Sequence, residues 1–204
     1  DEVYGMQTLT SKRRQDMSVV INACELRTGS AFRFGSRESG CWRYGRIANN
    51  ENVLIADAVA ASAAYPVLLP ARDRQYVFLD SDDRPSTRRV LLTDGGIFDN
   101  LGTTCLEPGR EATFSTNTFN PAYIIACNAG TGLFSDQVIP YWWPTRMIRA
   151  FESVFRKVGD GASARLHQLA INGSVRGFVL AYLGQQDGRL PFKPPLLVPR
   201  EKVI

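Results

Sequence analysis

Three short apolar runs constrain this chain most. Ser18 to Cys24, Arg89 to Thr93 and Ala122 to Cys127 are each long enough for one strand and no more. Each is rich in aliphatic and β-branched side chains and is bounded by polar or glycine-containing residues, the pattern of strands buried over most of their surface. Helix-forming stretches stand between and after them. Residues 55–64 are alanine-rich, and Tyr65-Pro66 ends them because a residue before proline avoids the helical region. Residues 143–171 space Met147, Ile148, Phe151, Val154, Phe155 and Val158 on one helical face. Gly159 and Gly161 are expected to weaken or kink that helix before Ala164 to Ile171 resume it. Buried strands mixed with helices favour an α/β or α+β layered fold.

The remaining segments fill in around this frame. Residues 1–15 are polar and read as the tail of a helix. A turn at Thr28-Gly29 leads into Ala31 to Phe34, a second strand paired with the first as a hairpin. Residues 35–52 contain Gly, Asn and Ser and read as loop. Gln75 to Asp80 and Arg89 to Thr93 form two strands joined by the acidic turn Ser81 to Thr87. Gly177 to Leu183 reads as a last strand before the proline-rich tail Pro191 to Pro199. No repeat or long linker divides the 204 residues, which are expected to form part of a single domain.

Composition narrows the class without choosing a function. Hydrophobic residues at 44% and charged residues at 22% are ordinary for a globular protein. A net charge of +4 permits anionic partners but argues for neither nucleic acid nor membrane. The local basic groups, Lys12-Arg13-Arg14 and Arg84 with Arg88 and Arg89, read as solvated faces. The four cysteines (Cys24, Cys41, Cys105 and Cys127) form no Cys-x-x-Cys pair, and His167 is the one histidine, so no metal site is expected. Cys24 and Cys127 fall in strand-like runs and read as buried free thiols, which suits a reducing compartment. No apolar run approaches the ~20 residues needed to span a bilayer. No signal-peptide pattern opens the chain, which starts Asp1-Glu2-Val3 and is expected to continue a longer protein. Cytoplasmic or peripheral-membrane residence is the expectation.

The chemistry-bearing stretch is Leu91 to Gly102. An apolar strand runs straight into Asp94-Gly95-Gly96, followed by Ile97-Phe98-Asp99-Asn100-Leu101-Gly102. A carboxylate at a strand end emerges at the edge of a sheet, where α/β enzymes place their sites. The two glycines remove side chains beside it and let the backbone turn sharply. A tight structural turn and a mounted general base both fit the bare pattern. The stretch resembles the Asp-Gly-Gly block of patatin-like phospholipases. Upstream, Ala60-Ala61-Ser62-Ala63-Ala64-Tyr65-Pro66 is similar to that family's Ala-Ser-x-Ala-x-Pro block, and residues 20–29 fall where members carry a strand and turn. The resemblance implies a three-layer α/β/α fold, of which this chain is the C-terminal portion. It also implies lipid acyl ester hydrolysis by a Ser–Asp dyad with no cofactor, Asp94 taking the serine proton and then activating water.

One departure from that pattern is decisive: no Gly-x-Ser-x-Gly and no glycine-rich oxyanion loop occurs. The nearest strings, residues 35–40 and 161–165, do not match. The nucleophile half is therefore expected on another segment or chain, and these residues alone are expected to be inactive. The alternative is a non-catalytic module that binds lipid or a protein partner.

Other candidates are weaker. Either Asp99, five residues beyond Asp94, pairs with it chemically or, the preferred reading, Asp99 or Asn100 caps a short helix through Leu101 to Leu106. Ser62 lies in a helix-forming run with no base beside it and reads as packing. Asp80, Asp82 and Asp83 miss the spacing and glycine of a calcium loop and read as a turn. His167 sits in the late helix, away from the motif. Tyr141, Trp142 and Trp143, between Pro140 and Pro144 and followed by Arg146 and Arg149, either seat the start of the helix or meet a membrane surface.

Overall fold

The computed structural model describes residues 3–11, 16–66, 68–112, 116–129 and 139–182. The Lys12-Arg13-Arg14 run and the proline-rich tail lie outside these residues. Six strands form a closed antiparallel barrel in sequence order: β1 (Val20–Glu25), β2 (Ser30–Gly35), β3 (Ser39–Cys41), β4 (Gly45–Ile47), β5 (Arg72–Leu79) and β6 (Pro85–Asp94). The three-layer α/β/α fold implied by the resemblance is thus overturned. Adjacent strands are joined mainly by short turns, which dictate antiparallel pairing, whereas a parallel sheet needs a crossover of a dozen or more residues between strands.

The barrel closes where β1 meets β6 through Ala23↔Asp94, Cys24↔Thr93 and Glu25↔Leu92. Ala23, Phe32, Phe34, Cys41, Phe78, Val90 and Leu92 fill the core. Phe32 lies 4.9 Å from Phe34 and 6.2 Å from Phe78, ring centre to ring centre. α1 (Ile55–Ser62) buries Ala58 and Ala61 in the same core and stops before Tyr65-Pro66. β3 and β4 fall in the stretch read as loop. They are three residues each, and Gly45 at φ +90 lets the chain pass β5 so closely that a β-carbon would lie 2.0 Å from the Leu79 carbonyl oxygen. Residues 3–11 form turns and one bridge, Thr8↔Leu54, instead of a helix tail.

Glu25 is a buried charge that the sequence does not advertise. Its carboxylate accepts from the Arg27 amide (3.2 Å), the Thr28 amide and hydroxyl (2.9 and 2.7 Å) and the Leu91 amide (3.2 Å). It therefore fastens the β1–β2 turn to β6. The acidic turn after β5 is equally structural, because Asp80 accepts the amides of Asp82 and Arg84, both at 2.9 Å.

Beyond β6 follow α2 (Gly96–Asp99), a 3-10 turn at Thr104–Leu106, and a single β–α–β unit made of β7 (Tyr123–Asn128), α3 (Trp143–Ile171) and β8 (Gly177–Tyr182). β7 and β8 pair in parallel, from Tyr123↔Gly177 to Asn128↔Tyr182. Their inner face buries Ile124 and Ala126 against Leu166 of α3. α3 runs unbroken for 29 residues, so neither Gly159 nor Gly161 interrupts it. Gly159 instead faces Asn100, whose amide nitrogen would lie 3.2 Å from a β-carbon there, and this lets α2 and α3 come close. The outer face of the pair is bare: Tyr123 is 66% and Ile125 75% exposed, and Cys127 is exposed as well. The burial expected for Cys127 is therefore wrong. The strand is apolar on both sides, as in a parallel sheet covered on both faces, but among the described residues only one face is covered.

Candidate functional site

Asp94 stands at the end of β6, opposite Ala23 of β1. The Ala60–Pro66 segment holds this strand end in place. The Ala64 carbonyl accepts the Thr93 hydroxyl at 2.6 Å and the Asp94 amide at 3.1 Å. The next residue, Tyr65, sets its ring edge against Phe151 and Phe155 of α3, with centres 5.4 and 6.0 Å apart. The small-residue block thus joins barrel, aspartate and helix. Its residues must be small because α1 lies directly on the barrel core.

Close approach explains the glycine pair. A β-carbon on Gly95 would lie 2.5 Å from the Asn22 carbonyl oxygen, and one on Gly96 would lie 2.3 Å from the tip of the Phe155 ring. The Gly96 amide donates to one Asp94 carboxylate oxygen at 2.7 Å. Among the described residues this is the only hydrogen bond to that carboxylate, which leaves the other oxygen free to act. Burial pushes the Asp94 carboxyl above the usual carboxylate range, and the Gly96 amide pulls the other way without cancelling it.

The carboxylate lines an open cleft of about 390 Å³, walled by Val20, Ile21 and Asn22 of β1, Ser62 of α1, and residues 94–96 and 99–102. That volume falls within the range of small-molecule sites. Asp94, Gly95 and Gly96 are therefore brought together as the sequence suggests. Two further polar side chains stand on the cleft wall. Ser62, half-buried in α1, lines the same cleft as Asp94, although no hydrogen bond joins the two. Asn22 buries its side-chain oxygen without a donor among the described residues. A polar residue within an otherwise apolar strand was the one sequence signal for it.

The other candidates separate from the cleft chemistry. Asp99 is buried and fully engaged, accepting the Thr103 amide at 3.1 Å and the Thr104 amide and hydroxyl at 2.9 and 2.6 Å. It secures the turn after α2 and is not a second acid for Asp94. Arg33 extends this buried network by donating to the Thr104 hydroxyl at 2.9 Å. His167 packs its ring edge on Phe178 and does not line the cleft. Ser36 and Ser39, in the near-miss string, accept the Val19 and Gly35 amides, each at 3.1 Å. Tyr141, Trp142 and Trp143 lie outside the cleft, at the exposed start of α3. Among the described residues no acid, histidine and cysteine cluster could hold a metal, and no helix is long and apolar enough to cross a membrane.

Comparison with family models, curated proteins and solved structures finds no match to this chain.

Proposed function

We propose that this chain supplies the general-base aspartate of a patatin-like lipid acyl ester hydrolase, with the nucleophilic serine contributed by a segment or chain beyond these 204 residues. The observation that carries the reading is Asp94 itself. It is a half-buried carboxylate with one oxygen fixed by the Gly96 amide, the other uncommitted, and its affinity for protons raised, at the wall of an open cleft. A base must be oriented, accessible and shifted toward neutral pH, and these three features meet here. Activity belongs to a site and not to a fold, so the barrel does not remove this reading, although it removes the architectural support for it.

In the proposed reaction the serine hydroxyl gives its proton to Asp94 as its oxygen attacks the ester carbonyl. The ester C–O bond breaks as Asp94 hands that proton to the departing alkoxide. Asp94 then takes a proton from the water that attacks the acyl-serine and returns it to the serine oxygen as the acid leaves. The bare face of β7 and β8 gives the missing segment a place to pack, because a parallel pair is completed by cover on both faces. Replacing Asp94 by asparagine in the protein that carries the serine is expected to lower kcat for a soluble ester by about 10²–10⁴-fold while the fold is retained. Near-wild-type turnover by that variant rules the role out.

One observation favours a second reading, a non-catalytic lipid-binding or partner-binding module. Among the described residues no hydroxyl or thiol is hydrogen-bonded to Asp94. Saturable binding of a fatty-acyl ester without turnover, even when all encoded segments are present, distinguishes that module from the enzyme.

A further inference from the structure

We infer that the exposed side of α3 and the aromatic tip before it dock on an anionic lipid bilayer. Trp143, Met147, Ala150 and Val154 fall at i, i+4, i+7 and i+11, which places them on one stripe of the helix. The stripe is turned away from the buried side that carries Phe155, Gly159 and Leu166. Trp143 is 68% exposed, Met147 63% and Val154 61%, and Tyr141 and Trp142, at 85% and 68%, extend the patch beyond the helix.

Charge selects the occupant. Arg149 and Arg156, on the far side of the helix, are neutralised by Glu152 and Asp160. Arg146 and Lys157, which border the stripe, have no carboxylate partner among the described residues. The first turn of α3 also holds no acidic residue. Unmatched cations beside an apolar stripe that begins in tyrosine and tryptophan are what an anionic headgroup layer complements. A helical partner fits less well. The apolar spacing lasts less than two heptads before Lys157 and Gly161 interrupt it, whereas a coiled coil needs three or four. Phe155, which touches Gly96 at the cleft, lies twelve residues from Trp143, about 18 Å along the helix. Docking would therefore hold the Asp94 cleft close to the lipid surface. The inference does not depend on Asp94 being a base.

The test is co-sedimentation of the full chain with unilamellar vesicles of phosphatidylcholine alone and of phosphatidylcholine mixed with phosphatidylglycerol. Binding is expected only to the mixed vesicles. It should weaken at least tenfold in Trp142→Ser/Trp143→Ser, whose side chains are exposed and leave the fold unchanged by circular dichroism. Each cation near an anionic surface strengthens binding about fivefold, so Arg146→Gln/Lys157→Gln should bind roughly twenty-five-fold more weakly. Asp94→Asn should bind as the parent does, which keeps this test apart from the hydrolysis reading. Equal binding to both vesicles, or none, overturns the inference. So does a concentration-dependent dimer that the tryptophan variant abolishes, because a second copy would then be what covers the stripe.

Discussion

Replacing Gly95 by alanine tests how the aspartate is mounted. The new β-carbon would lie 2.5 Å from the Asn22 carbonyl oxygen, 2.7 Å from its carbon and 2.9 Å from the Asn22 β-carbon. An ordinary carbon–oxygen contact is about 3.3 Å, so roughly 0.8 Å of movement is required. The obstacle is mainly β1 backbone, pinned by the Ala23↔Asp94 pairing, and no side-chain rotation relieves it. Overpacking of this kind costs about 1–3 kcal/mol. Gly95 has helical torsions (φ −65, ψ −25), so alanine also removes unfolded-state freedom and recovers about 0.4–1 kcal/mol. The net loss spans roughly 0–2.6 kcal/mol and centres on about 1.3 kcal/mol, which for a chain of this length lowers the melting temperature by roughly 3–5 °C. Gly161→Ala is the matched contrast. There the nearest atom to a β-carbon is the Arg165 guanidinium at 3.8 Å, and the site is interior to α3. Relief of the glycine penalty should stabilise by about 0.5–1 kcal/mol and raise the melting temperature by a few degrees. Thermal melts followed by circular dichroism in one buffer read both shifts. A Gly95→Ala protein melting at or above the parent, or two shifts of the same sign, refutes the close-approach account.

Two carboxylates should show opposite pH behaviour. The folded Asp94 carboxyl lies above its unfolded value, so its charge destabilises the fold at neutral pH and the penalty fades as pH falls through the folded value. Asp94→Asn should therefore melt higher than the parent near pH 7 and match it below about pH 3. Burial acts to raise Asp57 too, but Arg74 at 2.5 Å and Arg72 at 3.0 Å outweigh it and hold that carboxyl below the usual range. Its contribution is present above the unfolded value and lost as pH falls through the folded one. Asp57→Asn should thus melt lower than the parent near pH 7, with the gap closing in acid; parallel pH profiles for the two variants would refute both assignments. Glu25→Ala removes the acceptor of the Thr28 amide in the exposed β1–β2 turn and of the half-buried Leu91 amide in β6, and should cost about 1–3 kcal/mol, read as a lower denaturation midpoint. An unchanged midpoint would show that water replaces those bonds.

The elements legible in the sequence were those set by local chemistry. The Val20–Glu25 strand, the hairpin into Phe34, the helix stopped by Tyr65-Pro66, the acidic turn after Leu79 and the strand into Asp94 all follow from apolar runs, proline and turn residues. The sheet's connectivity did not follow. β1 is apolar enough to sit in a parallel layer, yet it is the barrel interior, α1 and α2 that cover it. β3 and β4 carry too few residues to show a period, and tertiary pairing makes them strands. Asp94 was legible because a carboxylate before two glycines is unusual. Asn22 and Ser62 were not, because only the meeting of β1, α1 and β6 puts them on the same wall.

The barrel and the β–α–β unit are coupled where α2 meets α3. α3 is the crossover between β7 and β8, and its Leu166 packs on their inner face. The same helix presses Phe155 on Gly96 and receives Tyr65 from the segment that holds the Asp94 strand end. A displacement of α3 toward the barrel meets the ring of Phe155 already at the cleft, while a displacement away loosens the turn that donates the Gly96 amide to Asp94. In the proposed hydrolase the orientation of Asp94 therefore rests on the packing of α3 against the barrel.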